Sequence, residues 1–248
     1  MLSKSFGLVA VGCFLAASSA AWADGEPRLV PSPIEKVFVP QGFDDNDNVE
    51  VVLHGHFPNS CYKVGPVTAQ FDAATNTYTV EARSYYYTGG MLCAQMVVPF
   101  IQTASLGLAA QGTYKVVVKG RPVVEARPLD VVHSHSRGPD DYLYAPVAVA
   151  GLKTTNADAD QVVVEGEYPY MFIGCMEIRE IRTSLTPDNV VIVQPIAELR
   201  GDADCVHHRP TFAFTQSLGQ KLPDGEYVVH VRTLNGNSLN RFVDLTGK

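Results

Sequence analysis

Six of the seven histidines fall in pairs, His54-x-His56, His133-x-His135 and His207-His208. Two imidazoles held close together can ligate Zn²⁺ or Cu²⁺. On a strand, His54 and His56 share one face because side chains alternate with period two, whereas His207 and His208 sit beside Cys205. Soft sulfur is clustered as well: Met91, Cys93 and Met96 in one stretch, Met171, Cys175 and Met176 in another. Such groups hold Cu(I), and methionine equally fills irregular space beside disulfides and rings such as Phe100, Tyr170 and Phe172. The runs Asp44-Asp45-Asn46-Asp47-Asn48 and Asn156-Ala157-Asp158-Ala159-Asp160 alternate oxygen donors as a Ca²⁺ loop does. The first carries Val49 where such a loop needs Gly and has no bidentate Glu at its twelfth position, so it reads as a solvated turn. Gly-x-Ser-x-Gly, His-Glu-x-x-His, a phosphate loop and Cys-x-x-Cys are all absent from the sequence. The chain is therefore read as a non-enzyme that needs no cofactor.

The elements that must position these residues follow from the export signal and the cysteines. Lys4, the apolar run from Phe6 to Ala17, and Ala21-Trp22-Ala23 before Asp24 have the order of a secretory signal peptide, so residues 1–23 are expected to be removed. That leaves 248 − 23 = 225 residues and, without Lys4, 18 basic against 26 acidic side chains, a net charge of −8. An acidic chain without a basic cluster is a poor partner for nucleic acid. No later apolar run approaches the roughly 20 residues of a spanning helix, so no transmembrane span is expected. Of the five cysteines, Cys61, Cys93, Cys175 and Cys205 remain, an even number as expected of disulfides in an oxidising compartment. Four cysteines allow three connectivities. Each repeat, described next, is expected to fold as a unit, which pairs Cys61 with Cys93 and Cys175 with Cys205.

The chain is written twice. Pro33-Ile34 is answered by Pro146-Val147, Gly55-His56-Phe57-Pro58 by Gly166-Glu167-Tyr168-Pro169, and Ser105-Leu106-Gly107 by Ser217-Leu218-Gly219. Gln111-Gly112-Thr113-Tyr114 is answered by Asp224-Gly225-Glu226-Tyr227, and across all of these and both cysteines the offset stays between 111 and 114 residues. Turn glycine, tyrosine two residues on, then an alternating strand is the corner at the start of strand F in immunoglobulin-like sandwiches. Residues 222–243 also resemble the last two strands of a fibronectin type III domain. The resemblance implies an all-β protein of two tandem immunoglobulin-like β-sandwich domains from an internal duplication. Their bounds are 33–127 and 146–248, with a polar linker at 128–145. The strand-C Trp of antibody domains is missing, since Trp22 lies in the signal. The pattern supports strands at 34–39, 49–57, 62–71, 77–87, 96–103, 112–119 and 122–126 in the first repeat and at 161–168, 177–184, 190–199, 210–216, 225–233 and 239–245 in the second. Alternation places Val49, Val51, Leu53 and Phe57 inward and Glu50, Val52, His54 and His56 outward. The second repeat has Glu165 and Glu167 where the first has His54 and His56, as expected for solvent-facing positions.

These readings converge on an exported, non-enzymatic binding or structural module, periplasmic or secreted, that recognises a protein or glycan outside the cytoplasm. The best contact is Tyr85, Tyr86 and Tyr87, since tyrosines beside small residues offer large contact area at low entropic cost. The alternative is a periplasmic metal protein for copper or zinc, built on the paired histidines or the Met-Cys clusters.

Overall fold

A computed structural model of the chain describes residues 26–89, 92–120, 124–138, 141–154, 158–169, 175–201 and 211–247. The first domain holds β1 (Arg28–Pro31), β2 (Ile34–Phe38), β3 (Phe43–Asp44), β4 (Val49–Phe57), β5 (Tyr62–Asp72), β6 (Thr77–Tyr86), β7 (Val98–Gly107), β8 (Gly112–Lys119) and β9 (Val124–Val132). The second holds β10 (Val147–Lys153), β11 (Gln161–Glu167), β12 (Met176–Leu185), β13 (Val190–Leu199), β14 (Thr211–Ser217), β15 (Glu226–Thr233) and β16 (Asn237–Asp244). The chain is all-β and each half is a β-sandwich. The expected strands are present; β10 is the counterpart of β2 that the repeat implies, and β1 and β3, too short to show an alternating pattern, were missed. These last two lengthen the first domain's larger sheet, β1 on β6 and β3 on β9.

The two halves share one connectivity. A three-stranded sheet, β2-β4-β7 in the first half and β10-β11-β14 in the second, faces a sheet containing β5-β6-β8-β9 or β12-β13-β15-β16. In each half the strand after the second hairpin strand crosses to the opposite sheet. The chain then returns parallel, β8 on β6 and β15 on β13. Antibody-type sheets are antiparallel throughout, so the order departs from that pattern at this pair. Pro66 lies at an irregularity in β5, where the register with β6 shifts between Val64 and Val67.

Matching residues carry matching geometry. The Tyr114 hydroxyl donates to the Ala110 carbonyl at 2.6 Å and the Tyr227 hydroxyl to the Pro223 carbonyl at 2.8 Å, both rings being buried. Asn76 and Asn189 adopt left-handed φ of 52° and 59°, and their amides donate to the Thr113 and Glu226 carbonyls. Both are hairpin-turn positions where Asn tolerates positive φ. A Cβ on Gly55 would meet the Pro33 carbonyl oxygen at 2.0 Å, and one on Gly166 the Pro146 oxygen at 2.2 Å. Only glycine lets the two backbones approach so closely there.

Three apolar layers alternate with four sheets. The first, with Ile34, Val51, Leu53, Val80, Val116 and Leu129, lies inside domain 1. Another, with Val162, Val164, Val193, Tyr227 and Val229, lies inside domain 2. Between the domains is a third, Phe38 and Val52 against Val190, Ile192 and Val228, with Ile101 and Phe242 beside it. The outer face of β2-β4-β7 is therefore docked on the outer face of β12-β13-β15-β16. Alternation correctly separates the two faces of β4, and the outward one is covered by the second domain rather than by water. The expected linker is also narrower at its ends: β9 runs to Val132, and Tyr144 bridges to Ile196 of β13.

Candidate functional site

Two places gather the residues singled out by sequence. One is the end of domain 1 where β4 turns into β5. Cys61 and Cys93 are joined there by a disulfide with Cα atoms 5.3 Å apart, as expected from the sequence. The segment carrying Cys93 is further pinned by the Ser60 amide to the Ala94 carbonyl at 3.1 Å and the Ala94 amide to Ser60 Oγ at 2.9 Å. The Tyr87 amide donates to the Cys61 carbonyl. A row of stacked rings runs outward from the core: Phe100 on Phe57 at 4.1 Å, Phe57 on Tyr62 at 5.5 Å, Tyr62 on Tyr86 at 4.6 Å. Tyr87 carries the Lys63 ammonium 5.2 Å above its ring. Tyr85 lies opposite Leu29 on one side and Lys63 on the other. All three tyrosines are half-buried. Beside them Leu92, Met96 and Val97 stand in water, 101%, 53% and 67% exposed. Sequence reasoning missed Leu92 and Val97, and weighed Met96 only as a copper ligand or as packing. The signal was the pairing of Leu92 and Val97 with a cysteine in a stretch too short to bury them.

Met96 is thus on the surface and not core packing, whereas Met176 is buried within domain 2. Cys93 and Cys175 are both disulfide-bonded, so neither supplies the thiolate that soft-metal binding uses. Cys205, His207, His208, Met91 and Met171 lie outside the described residues.

The second place is the face between the domains. His54, expected on the solvent face, is 1% exposed. Its ring stacks on Phe242 of domain 2 with centroids 3.8 Å apart and planes 10° from parallel. Neither ring nitrogen has a hydrogen-bond partner among the described residues. Burial lowers its pKa, with Glu226 and Glu35 pulling back. His56 stands edge-on to His54 at 4.9 Å, half-exposed, with Nδ1 at 2.9 Å from Glu35 Oε2. Farther along the same face the Glu50 carboxylate accepts from Ser238, and from Asn240 at 2.7 Å. His230 Nδ1 lies 3.4 Å from the same oxygen. Burial pushes the Glu50 carboxyl up, and the groups from His230, Ser238 and Asn240 together hold it below its ordinary range. Arg232 reaches across to Asp47 Oδ2 at 3.2 Å, to the Gly42 carbonyl at 3.2 Å, and over the Phe43 ring at 4.1 Å.

The first acidic run is consequently no solvated turn. Asp44 and Asp47 are buried, and the Asp44 amide donates to Asp47 at 2.9 Å. Asp45 accepts from the Ser134 amide at 2.8 Å and faces His133 Nδ1 at 2.8 Å, fixing the interdomain segment. Its hydrogen bonds from Ser134 and His133 hold the Asp45 carboxyl well below the usual carboxylate range. Among the described residues no group of three or more His, Cys, Asp or Glu side chains is arranged to hold a metal ion. Nor is any helix among them long and apolar enough to cross a membrane.

Residues 51–126, from within β4 into β9, match the family model of the ORF11 β-sandwich domain. Neither a curated protein nor a solved structure gives a significant match to the chain.

Proposed function

We propose that this chain is an exported, non-enzymatic binding module that uses the disulfide-pinned end of domain 1 to recognise a protein or glycan outside the cytoplasm. The observation that carries this reading is the exposure of Leu92, Met96 and Val97 on the segment that the Cys61–Cys93 disulfide ties to the strand end carrying Tyr85, Tyr86 and Tyr87. Three large apolar side chains exposed within six residues give a local apolar surface of the kind that interaction sites use, and a disulfide that holds the segment lowers the entropy lost on binding. Export is supported by the N-terminal sequence and by that same disulfide, since cytosolic thiols are kept reduced.

The test is affinity capture from the native envelope or culture medium with the signal-processed protein and with a Leu92→Ser, Met96→Ser, Tyr87→Ser variant. The wild type is expected to retain a partner that the variant loses while keeping the same circular dichroism spectrum. Identical capture by both would overturn the assignment of this surface.

A further inference from the structure

We propose that the docking of the two domains is a pH-responsive closure governed by His54, closed at neutral pH and opened by acidification. The ring sits within the apolar layer between the domains, packed flat on Phe242 from the opposite side. Buried, stacked and, among the described residues, without a hydrogen-bond partner for either nitrogen, it suits a neutral imidazole. A proton on it would place a charge among Val52, Phe242 and their neighbours.

The groups facing it decide the direction. From β2 come Glu35 and Lys36, from its own strand His56, from β15 Glu226 and from β16 Asp244. Lys36 is paired with Glu226 across the domain boundary, and His56 with Glu35, so both nearby glutamates already have cationic or imidazole partners. Burial outweighs the attraction of Glu226 and Glu35, and the closed state therefore binds the His54 proton less well than an open state in which the ring meets water.

The sign follows from linkage. A histidine with a depressed pKa in the closed form contributes to closure fully above its ordinary pKa of about 6.5. That contribution is lost as pH falls from about 6.5 towards the closed-state value. Within that window each unit of acidification multiplies the open-to-closed ratio by up to about ten. The rest of the interface, Asp47 with Arg232 and Glu50 with Asn240 and Ser238, sets how large the closed population is before acid is added, and Asp47, whose carboxyl burial pushes up, favours docking in acid and works against His54.

Small-angle scattering of the full signal-processed protein between pH 7.5 and 5, with circular dichroism in parallel, tests this. The wild type is expected to expand reversibly as pH falls while its strand signal stays constant. His54→Leu keeps an apolar side chain against Phe242 and is expected to stay closed at pH 5. His56→Asn removes the neighbouring titratable ring and is expected to expand like the wild type. Should His54→Leu fold poorly, hydrogen exchange of the wild type supplies the same answer, with protection of β4 and β16 falling on acidification ahead of the β8 amides. A wild type of constant dimensions and exchange over this range would overturn the proposal. So would a His54→Leu protein that opens at the same pH.

Discussion

Replacing Arg232 by Met should be among the most damaging single changes at the domain boundary, and its cost can be worked from the contacts. The guanidinium is 4% exposed and its partner carboxylate on Asp47 7% exposed, so water replaces little of what the pair provides. Methionine keeps most of the stem packed over Phe43 and removes the charge. The remaining carboxylate is then buried with the Asp44 amide for company. Breaking a buried pair in this way costs about 3–5 kcal/mol, with the free energy of docking as the ceiling, because the domains can part and let Asp47 rehydrate. Burial already pushes the Asp47 carboxyl up, with Arg232 pulling it back. A raised carboxyl favours the folded, docked form at acid pH, and that advantage is lost as pH rises from about 3.9 through the folded-state value. Without Arg232 the folded value rises further, so the damage should be largest at neutral pH and shrink towards pH 5. The assay is urea denaturation of wild type, Arg232→Met, Asp47→Asn and the double variant at pH 7 and pH 5. Within each pH the cycle cancels any contribution from His54. A coupling of about 2 kcal/mol or more at pH 7 is expected. A loss under about 1 kcal/mol at pH 7, with no coupling to Asp47→Asn and no domain separation by scattering, would refute the reasoning.

Two further outcomes follow from single contacts. Converting Cys61 and Cys93 to Ala opens a loop with a sequence separation of 32 residues, which should cost about 4 kcal/mol in the chain-entropy model and free the segment that carries Leu92 and Met96. Denaturation under oxidising and reducing conditions reads it, and an unchanged midpoint would show the bridge to be dispensable. Tyr114→Phe and Tyr227→Phe each delete one hydroxyl-to-carbonyl bond within a buried corner, a loss of about 1 kcal/mol apiece, seen as a lowered melting temperature. A neutral result at both would mean the corner is held by ring packing alone.

The sheets were legible because strands such as β4 and β8 keep one apolar face: Val49, Val51 and Leu53, or Tyr114, Val116 and Val118, are spaced two apart and buried. The corners were legible because turn glycine and tyrosine keep their spacing in both halves. Domain docking was not, and His54 shows why. Alternation reports which residues share a face and is silent on what covers that face. A histidine between Val52 and an outward His56 has the composition of a solvent face, and only the partner surface 188 or so residues away, where Phe242 stands, turns it into an interior one. Asp47 was misread for the same reason, since its partner Arg232 lies in the other half of the chain. The exposed Leu92 and Val97 escaped because the stretch around Cys93 was read for disulfide pairing and metal ligation, not for what its apolar neighbours could bury.

The same comparison explains why docking runs in one direction. On the larger sheet of domain 2 the positions that meet the partner are Val190, Ile192 and Val228. By register, Val190 pairs with Val228 as Thr77 pairs with Lys115 in domain 1, so the matching positions there are Thr77, Thr79 and Lys115. Across the boundary Glu50, Val52 and His54 of β4 are matched in β11 by Gln161, Val163 and Glu165. A reversed docking, the small sheet of domain 2 on the large sheet of domain 1, would bury the Lys115 ammonium and the Glu165 carboxylate, each at a desolvation cost of several kcal/mol. It would gain one valine contact in place of an apolar layer. Two sandwiches with one connectivity thus hold a single mutual orientation through a few side chains on outward faces, where a change leaves each domain's own core untouched. Those faces also carry His54, Glu50 and Asp47, the ionisable groups through which solvent pH reaches the closure.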